Sequence, residues 1–297
     1  MNPDLIYTQT LTAKWLYEHK VALDVLRLDE LHPVISGNKW FKLKYYLREA
    51  LEQGRQTIAT FGGAYSNHII ATAFACKQAG LKSVGFIRSE RAESLSPTLV
   101  QAEKLGMDLI FVTRDRYRNK QQIIKELAQP GWYIINEGGY GLTGAKGAAE
   151  ILDHVAENDY THIIASAGTG TMLAGLIMGA QPYQQVIGIS SMKGNTSLDQ
   201  AVKDLLSPDE IYAAYTIFHE YHFGGYAKHP PALIAFIKEA WQQFQLPLDI
   251  VYTSKLFFAI IDLINKNYFL PNSKLLMIHS GGLQGNNSLQ QNPLSFS

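Results

Sequence analysis

Short apolar runs of β-forming residues recur along this chain of 297 residues, and helix-forming segments separate many of them. The runs are Val21–Leu26, Thr57–Phe61, Ser83–Ile87, Asp108–Val112, Trp132–Ile135, His162–Ser166, Val186–Ile189 and Leu275–His279. Helical stretches include Lys39–Gln53, Asn67–Gln78, Pro97–Leu105 and Lys120–Leu127. Parallel strands need a crossover, and the crossover helix covers a sheet face; strands alternating with helices therefore indicate parallel sheets buried on both sides. The expectation is an α/β chain with parallel-type sheets flanked by helices, long enough for two domains. Ligands bind such sheets beyond the carboxyl ends of the strands, so the strand-to-helix junctions are where function is sought.

Several classes of function fall away early. Lysine plus arginine and aspartate plus glutamate balance at 26 each, with no basic run, so nucleic acid is not an expected partner. No apolar run approaches the roughly 20 residues that cross a bilayer, so no membrane association is expected. The opening Met1-Asn2-Pro3-Asp4-Leu5 lacks the basic start and apolar core of a signal peptide. A single cysteine, Cys76, excludes an internal disulfide and fits a reducing cytoplasm. Its alanine-rich surroundings make it a buried filler.

Three segments carry chemistry. In Ser36-Gly37-Asn38-Lys39-Trp40-Phe41-Lys42 a lysine follows a Gly-Asn turn and opens a helix. Asn38 is placed to cap that helix through its side-chain oxygen. Lys39 then lies where the helix macrodipole disfavours an ammonium. That suits an amine needed neutral and nucleophilic towards a carbonyl cofactor; a surface lysine on an amphipathic helix is the alternative. In Thr60-Phe61-Gly62-Gly63-Ala64-Tyr65-Ser66-Asn67-His68 a strand enters a glycine turn and a polar trio before an alanine-rich helix. Free amides and short side chains at a helix start suit a carboxylate; an ordinary turn capped by Ser66 is the alternative. In the third segment an apolar strand runs into Gly168-Thr169-Gly170-Thr171-Met172 and a helix rich in small residues. Glycines and free amides there suit a phosphate, and a glycine-rich loop without one is the alternative. The glycine spacing differs from the dinucleotide fingerprint and lacks the Lys-Ser/Thr ending of a triphosphate loop, which leaves a single phosphate ester. A reactive lysine, a carboxylate-sized turn and a monophosphate loop together describe a site for pyridoxal 5′-phosphate.

In this order the segments resemble the 1-aminocyclopropane-1-carboxylate deaminase and D-cysteine desulfhydrase family, of the tryptophan-synthase-β-like (fold type II) pyridoxal-phosphate enzymes. Gly37-Asn38-Lys39 with Lys42-Leu43 is similar to the family's lysine segment, and Gly62-Gly63-x-x-Ser66-Asn67-His68 to its second motif. Thr169-Gly170-Thr171 is similar to its phosphate loop. Asp249-Ile250-Val251-Tyr252-Thr253-Ser254-Lys255 resembles its Asp-Pro-Val-Tyr-(Glu/Thr)-Gly-Lys motif, and His279-Ser280-Gly281-Gly282 its closing turn. The resemblance implies that Lys39 carries the cofactor and moves the substrate α-proton. It implies that Asn67 binds the cofactor's 3′-oxygen, and that Ser66, neighbouring amides and His68 hold the substrate carboxylate. Gly168, Thr169, Gly170, Thr171 and Met172 would hold the phosphate, with Lys42 as a cationic helper. Tyr252 and Tyr226 would face the substrate; core packing is the alternative for both. The resemblance further implies a smaller α/β domain of residues 42–142, a larger cofactor-binding domain of 1–41 plus 143–297, a small amino-acid substrate and a homodimer.

Thr253 is the departure that bears on the reaction. Deaminases of the family carry glutamate there, beside the pyridine nitrogen of the cofactor; desulfhydrases carry threonine. A neutral hydroxyl makes a weaker electron sink, which suits expulsion of a good β-leaving group better than opening of a cyclopropane. The expected activity is β-elimination of the D-cysteine desulfhydrase type, giving pyruvate, ammonia and sulfide. The alternatives are a 1-aminocyclopropane-1-carboxylate deaminase and a non-catalytic protein that binds pyridoxal phosphate or another phosphate ligand. Tyr65, Ile250 and Leu283 also depart from the family pattern. His219 and His222 stand three apart, the wrong spacing for a metalloprotease helix, so a polar strand or loop is expected. Arg114–Lys120 reads as a solvated basic loop, and the polar stretch Gln284–Ser297 as a partly loose end.

Overall fold

The computed structural model describes residues 3–32, 34–35, 37–90, 94–156, 159–289, 294 and 296. Ten strands form two sheets among them. They are β1 (Thr8–Leu11), β2 (Ala22–Arg27), β3 (Thr57–Gly63), β4 (Lys82–Arg88), β5 (Met107–Val112), β6 (Trp132–Ile135), β7 (His162–Ala167), β8 (Gln185–Ser190), β9 (Ala214–Phe218) and β10 (Lys274–His279). One sheet runs β1-β2-β10-β7-β8-β9, and the other β5-β4-β3-β6. All described pairings are parallel except β1 with β2.

Successive side chains of a strand point to opposite faces, and the larger sheet sorts its residues accordingly. Leu23, Val25, Ile164, Ile187, Ile189, Leu275 and Met277 pack on one side with residues of helices Pro231–Phe244 and Thr253–Asn265. Leu26, Ile163, Ala165, Val186, Leu276 and Ile278 pack on the other, against Thr171–Gly179 and Leu142–Ala149. Those last two helices approach closely: a β-carbon on Gly175 would lie 2.4 Å from the Ala145 carbonyl oxygen, and one on Gly179 would lie 2.7 Å from that of Ala149. Both glycines therefore serve helix packing.

Eight strands match the apolar runs of the sequence. The two extra strands, β1 and β9, are the edges of the larger sheet and are mostly half-buried or exposed. Two expected loops are ordered. Arg114–Tyr117 is a helical turn capped by the Thr113 hydroxyl. Leu283–Ser288 forms a tight helical turn, in which the buried Asn286 accepts from the Ile250 amide and donates to the Leu248 carbonyl. The rest of the expected loose end lies largely outside the described residues.

A buried charge network supports the end of β10. His279 places Nδ1 3.0 Å from Asp29 Oδ1 and Nε2 2.6 Å from the Pro247 carbonyl oxygen. Arg27, paired with His279 in the sheet register, binds the same carboxylate through Nε and Nη2 at 2.9 and 2.7 Å. The Gly281 amide also approaches Nδ1, at a longer 3.4 Å. With the two short contacts both to acceptors, the ring is satisfied as the imidazolium. Burial pulls the His279 pKa down, but the Asp29 charge outweighs it and the pKa is raised. Against the upward push of burial, His279 and then Arg27 hold the Asp29 carboxyl well below its ordinary range.

The raised His279 value gives stability that is complete below the ordinary histidine pKa and is lost as pH rises through the folded value. The lowered Asp29 value gives stability present above the ordinary carboxylate pKa and lost only in acid. The melting-temperature gap between wild type and His279→Gln is therefore expected to be widest below the ordinary histidine pKa and to narrow as pH rises above it. Thermal scans of both proteins check this, and a gap that widens with pH contradicts the imidazolium assignment.

Candidate active site

Gly37 fixes where the first functional helix begins. Its φ is 68°, and a β-carbon there would fall 1.8 Å from the Ser280 carbonyl oxygen, so only glycine allows this approach. Helix Asn38–Glu52 follows, with Gly37 at the cap and no capping side chain. Asn38 is therefore the first helical residue and not the cap expected of it. Its Nδ2 lies 2.9 Å from the Met172 sulfur, and its Oδ1 accepts from Lys39 Nζ at 2.7 Å. Burial pulls the Lys39 pKa down to about 8, and Asp249 pushes back only in part. One turn on, Lys42 is buried and donates to the Gly138 carbonyl at 3.3 Å. Burial, then the Lys39 charge, hold the Lys42 pKa well below its ordinary value.

The glycine turn after β3 leads to helix Asn67–Gln78. Ser66 caps it, its Oγ accepting from the His68 and Ile69 amides at 3.2 and 3.4 Å. A hydroxyl that accepts in a cap keeps its proton for another acceptor. Asn67 donates through Nδ2 to the Gly282 carbonyl at 3.4 Å, and its buried Oδ1 has no partner. His68 departs from its expected role. Its ring is 2% exposed, and its Nε2 stands 2.8 Å from Thr60 Oγ1. Thr60 gives its own proton to the Ile135 carbonyl, so His68 Nε2 carries the hydrogen and Nδ1 is left as a buried, unpartnered acceptor. Burial, followed by Lys39 and Lys42, keeps the ring neutral. A neutral imidazole committed to Thr60 offers no donor to a substrate carboxylate.

The third junction follows β7. Helix Thr171–Gly179 starts after Gly170 in the left-handed conformation, with no capping side chain and no acidic residue in its first turn. Thr171, Met172 and Leu173 are nevertheless buried. The Thr169 and Thr171 hydroxyls stand 3.3 Å apart. A β-carbon on Gly138 would meet the Thr169 side chain at 2.8 Å, which sets the carbonyl bound by Lys42 beside this loop.

A fourth group comes from the start of helix Thr253–Asn265. The Asp249 carboxylate accepts from the Val251, Tyr252 and Thr253 amides at 2.7, 2.8 and 2.9 Å. It also accepts from Thr253 Oγ1 at 2.7 Å, while that oxygen accepts from the Asp249 amide at 2.8 Å. The Thr253 proton is thus committed to Asp249. Tyr252 lies over Gly168, whose β-carbon would be 3.5 Å from its ring, and 6.2 Å from the Tyr226 ring centre. Burial first, then the neighbouring Tyr226, raise the Tyr252 pKa well above its ordinary value. A β-carbon on Gly282 would lie 2.8 Å from Asn67 Nδ2 and 3.8 Å from Asp249 Oδ2, which joins the second and fourth groups.

Lys39, Ser66, Asn67, Gly168, Thr169 and Tyr252 are all half-buried, as residues lining a cleft are. Asp249 and Lys255 were legible only as motif letters; the signal for Asp249 was its spacing of four from Thr253 at a helix start. The donor set fits a phosphorylated carbonyl compound. Buried helix starts need partners for their first amides, and the one at Thr171 lacks a side-chain cap. Two amines stand near it, and an unpartnered amide oxygen on Asn67 lies across the cleft.

Comparison with known proteins agrees with this chemistry. The chain matches the profile of a family described as pyridoxal-phosphate dependent enzymes over residues 4–281. A Thermotoga maritima protein named putative 1-aminocyclopropane-1-carboxylate deaminase is 30% identical over 281 residues, 88% of this chain and 88% of the relative. A D-cysteine desulfhydrase of Yersinia pestis is 27% identical over 282 residues, 86% of each. The crystal structure of an ACC deaminase homologue superposes with a TM-score of 0.78 at 26% identity, covering 95% of this chain and 90% of that one. A fungal L-serine ammonia-lyase from Rhizomucor miehei shares the fold, with a TM-score of 0.67 at 14% identity over 94% of each chain. From the lysine pair, the uncapped helix start and the match along nearly its whole length, the chain belongs to the pyridoxal-phosphate dependent enzymes.

Proposed function

We propose that the protein is a pyridoxal-phosphate dependent lyase that removes the α-proton of a small amino acid and eliminates its β-substituent, as a D-cysteine desulfhydrase does. When bound, the cofactor supplies an electron sink for the carbon that loses its proton. Lys39 Nζ, with its pKa pulled to about 8, is the base that takes that proton and the amine that anchors the cofactor. Lys42 and the amides from Gly168 to Met172 hold the phosphate. Asn67 would donate to the ring oxygen through Nδ2, which holds only a long 3.4 Å bond to the Gly282 carbonyl. The Ser66 hydroxyl proton goes to the substrate carboxylate, and Tyr252, held protonated by burial, donates on the substrate side. Side-chain contact of His68 with substrate forms no part of this reading.

The observation that carries the choice of reaction is Thr253. Its hydroxyl is neutral and already donates to Asp249, so it supplies no proton to a ring nitrogen. The sink is then weaker than with glutamate, and a substrate with a good leaving group is favoured. Cyclopropane opening remains the second reading, because relatives from Thermotoga maritima and Pyrococcus horikoshii carry the putative deaminase name.

Three outcomes follow. Protein reconstituted with pyridoxal phosphate is expected to show a visible absorption band that Lys39→Ala lacks; D-cysteine perturbs it and pyruvate accumulates. A band that ignores D-cysteine removes that substrate, and no band at all removes the catalytic reading. Pyridoxal phosphate at about a hundred times its dissociation constant is expected to stabilise the protein by about 2.7 kcal/mol, with pyridoxal doing far less at the same concentration. Lys42→Met weakens that binding about tenfold, and the band forms faster as pH rises through about 8. Thr253→Glu is expected to raise the ratio of cyclopropane opening to β-elimination by more than about tenfold. An unchanged ratio, in a variant that keeps its band, refutes the electronic account of the position.

A further inference from the structure

We infer that Lys255 is a positioning residue: its side chain ties down the Gly225 carbonyl and so fixes Tyr226 against Tyr252, an inference that rests on the reading of both tyrosines as substrate-facing. Lys255 is 0% exposed and lies in the first turn of helix Thr253–Asn265. Its Nζ donates to the Gly225 carbonyl at 2.8 Å and to the Ser191 carbonyl at 3.4 Å. A buried ammonium at a helix start is disfavoured twice, by desolvation and by the macrodipole. A methionine of similar length would carry neither penalty. The position makes sense only through what the amine reaches.

What it reaches is a segment that otherwise leans on the core through Ala227 and through Phe223, whose ring packs edge-on to Phe258. Phe223, Gly224, Gly225 and Ala227 all have positive φ, at 51°, 90°, 130° and 54°. Such backbone persists only where surrounding contacts impose it. Gly225 is the one buried residue among the described residues from 222 to 230. The segment's own backbone bonds are local, from the Gly225 amide to His222 at 3.0 Å and from the Lys228 amide to Gly225 at 3.2 Å. Tyr226, next in the chain, is 47% exposed and meets Tyr252 edge-on, with ring centres 6.2 Å apart. The helix start thus carries Tyr252 on its own backbone and secures Tyr226 through Lys255. Burial pulls the Lys255 pKa to about 8, with Asp249 pushing back, yet a neutral amine still donates to a carbonyl, so the tie persists in either state.

Two measurements test this. In protein without cofactor, hydrogen–deuterium exchange of peptides spanning 222–228 is expected to quicken about tenfold in Lys255→Met, with peptides of the two sheets unchanged. In the loaded enzyme, Lys255→Met and Tyr226→Phe are each expected to raise KM on the order of tenfold, with kcat and the absorption band nearly unchanged. The double variant is then no worse than the worse single one, because both act on one contact. Lys255→Gln keeps a donor and should recover part of the loss. Unchanged exchange, additive effects of the two substitutions, or a silent Tyr226→Phe each overturn the inference. If neither Lys255 variant folds, the residue is structural and the inference also fails. Wild-type protein that forms no band and turns over neither candidate substrate defeats the proposed function instead, while the exchange measurement still decides whether Lys255 ties the segment.

Discussion

Two amines one turn apart, both held below their ordinary pKa by burial, are the constraint around which this structure is arranged. Lys39 and Lys42 stand one turn apart inside the protein, and the first turn of helix Thr171–Gly179 adds uncapped amides beside them. Asp249 is the carboxylate that Lys39 feels, but its oxygens already serve three amides and a hydroxyl. Each amine therefore sits below its ordinary pKa, and the region as a whole calls for an anion. On the proposed reading, a phosphate ester would meet the helix start and Lys42, and its carbonyl end would meet Lys39. Burial that would be a plain cost in a storage or structural protein becomes preorganisation in a cofactor site.

Holding that region together requires contacts between the two sheets, and backbone does the work. Gly37 rests on the Ser280 carbonyl, and Gly282 accepts from Asn67 across the cleft. Both contacts use the turn that follows β10, and that turn stands on the Arg27–Asp29–His279 network. A side chain at Gly37 would push the lysine helix away from the larger sheet. A lost carboxylate at Asp29 would leave two buried cations facing each other. Stability and site geometry are therefore coupled at the end of one strand.

The sequence made the alternation of strands and helices legible because buried parallel strands are continuous apolar runs. It hid β1 and β9 because edge strands face solvent, and Thr8–Leu11 and Ala214–Phe218 lack an uninterrupted buried pattern. The three junctions were visible as glycine and short polar residues following strands. What the sequence could not show was direction. Asn38 looked like a cap, but the positive φ of Gly37 took the cap position and turned the amide towards Met172. His68 looked like a substrate ligand, but its place two residues beyond Ser66 points its ring to Thr60. Spacing locates a residue on an element; the neighbours decide which polar atom remains free.

Thr253 shows how far a single hydrogen bond can reach into chemistry. A hydroxyl has one proton, and here Asp249 receives it. The same carboxylate caps the helix that carries Tyr252, Thr253 and Lys255, so it cannot move towards another partner without loosening all three. Exchanging threonine for glutamate would place a second carboxylate against Asp249 in a buried space, where like charges strongly favour a shared proton. The negative charge left on the pair would favour a protonated ring nitrogen. On the proposed reading, the choice between expelling a good leaving group and opening a strained ring would come down to whether this helix cap holds one carboxylate or two.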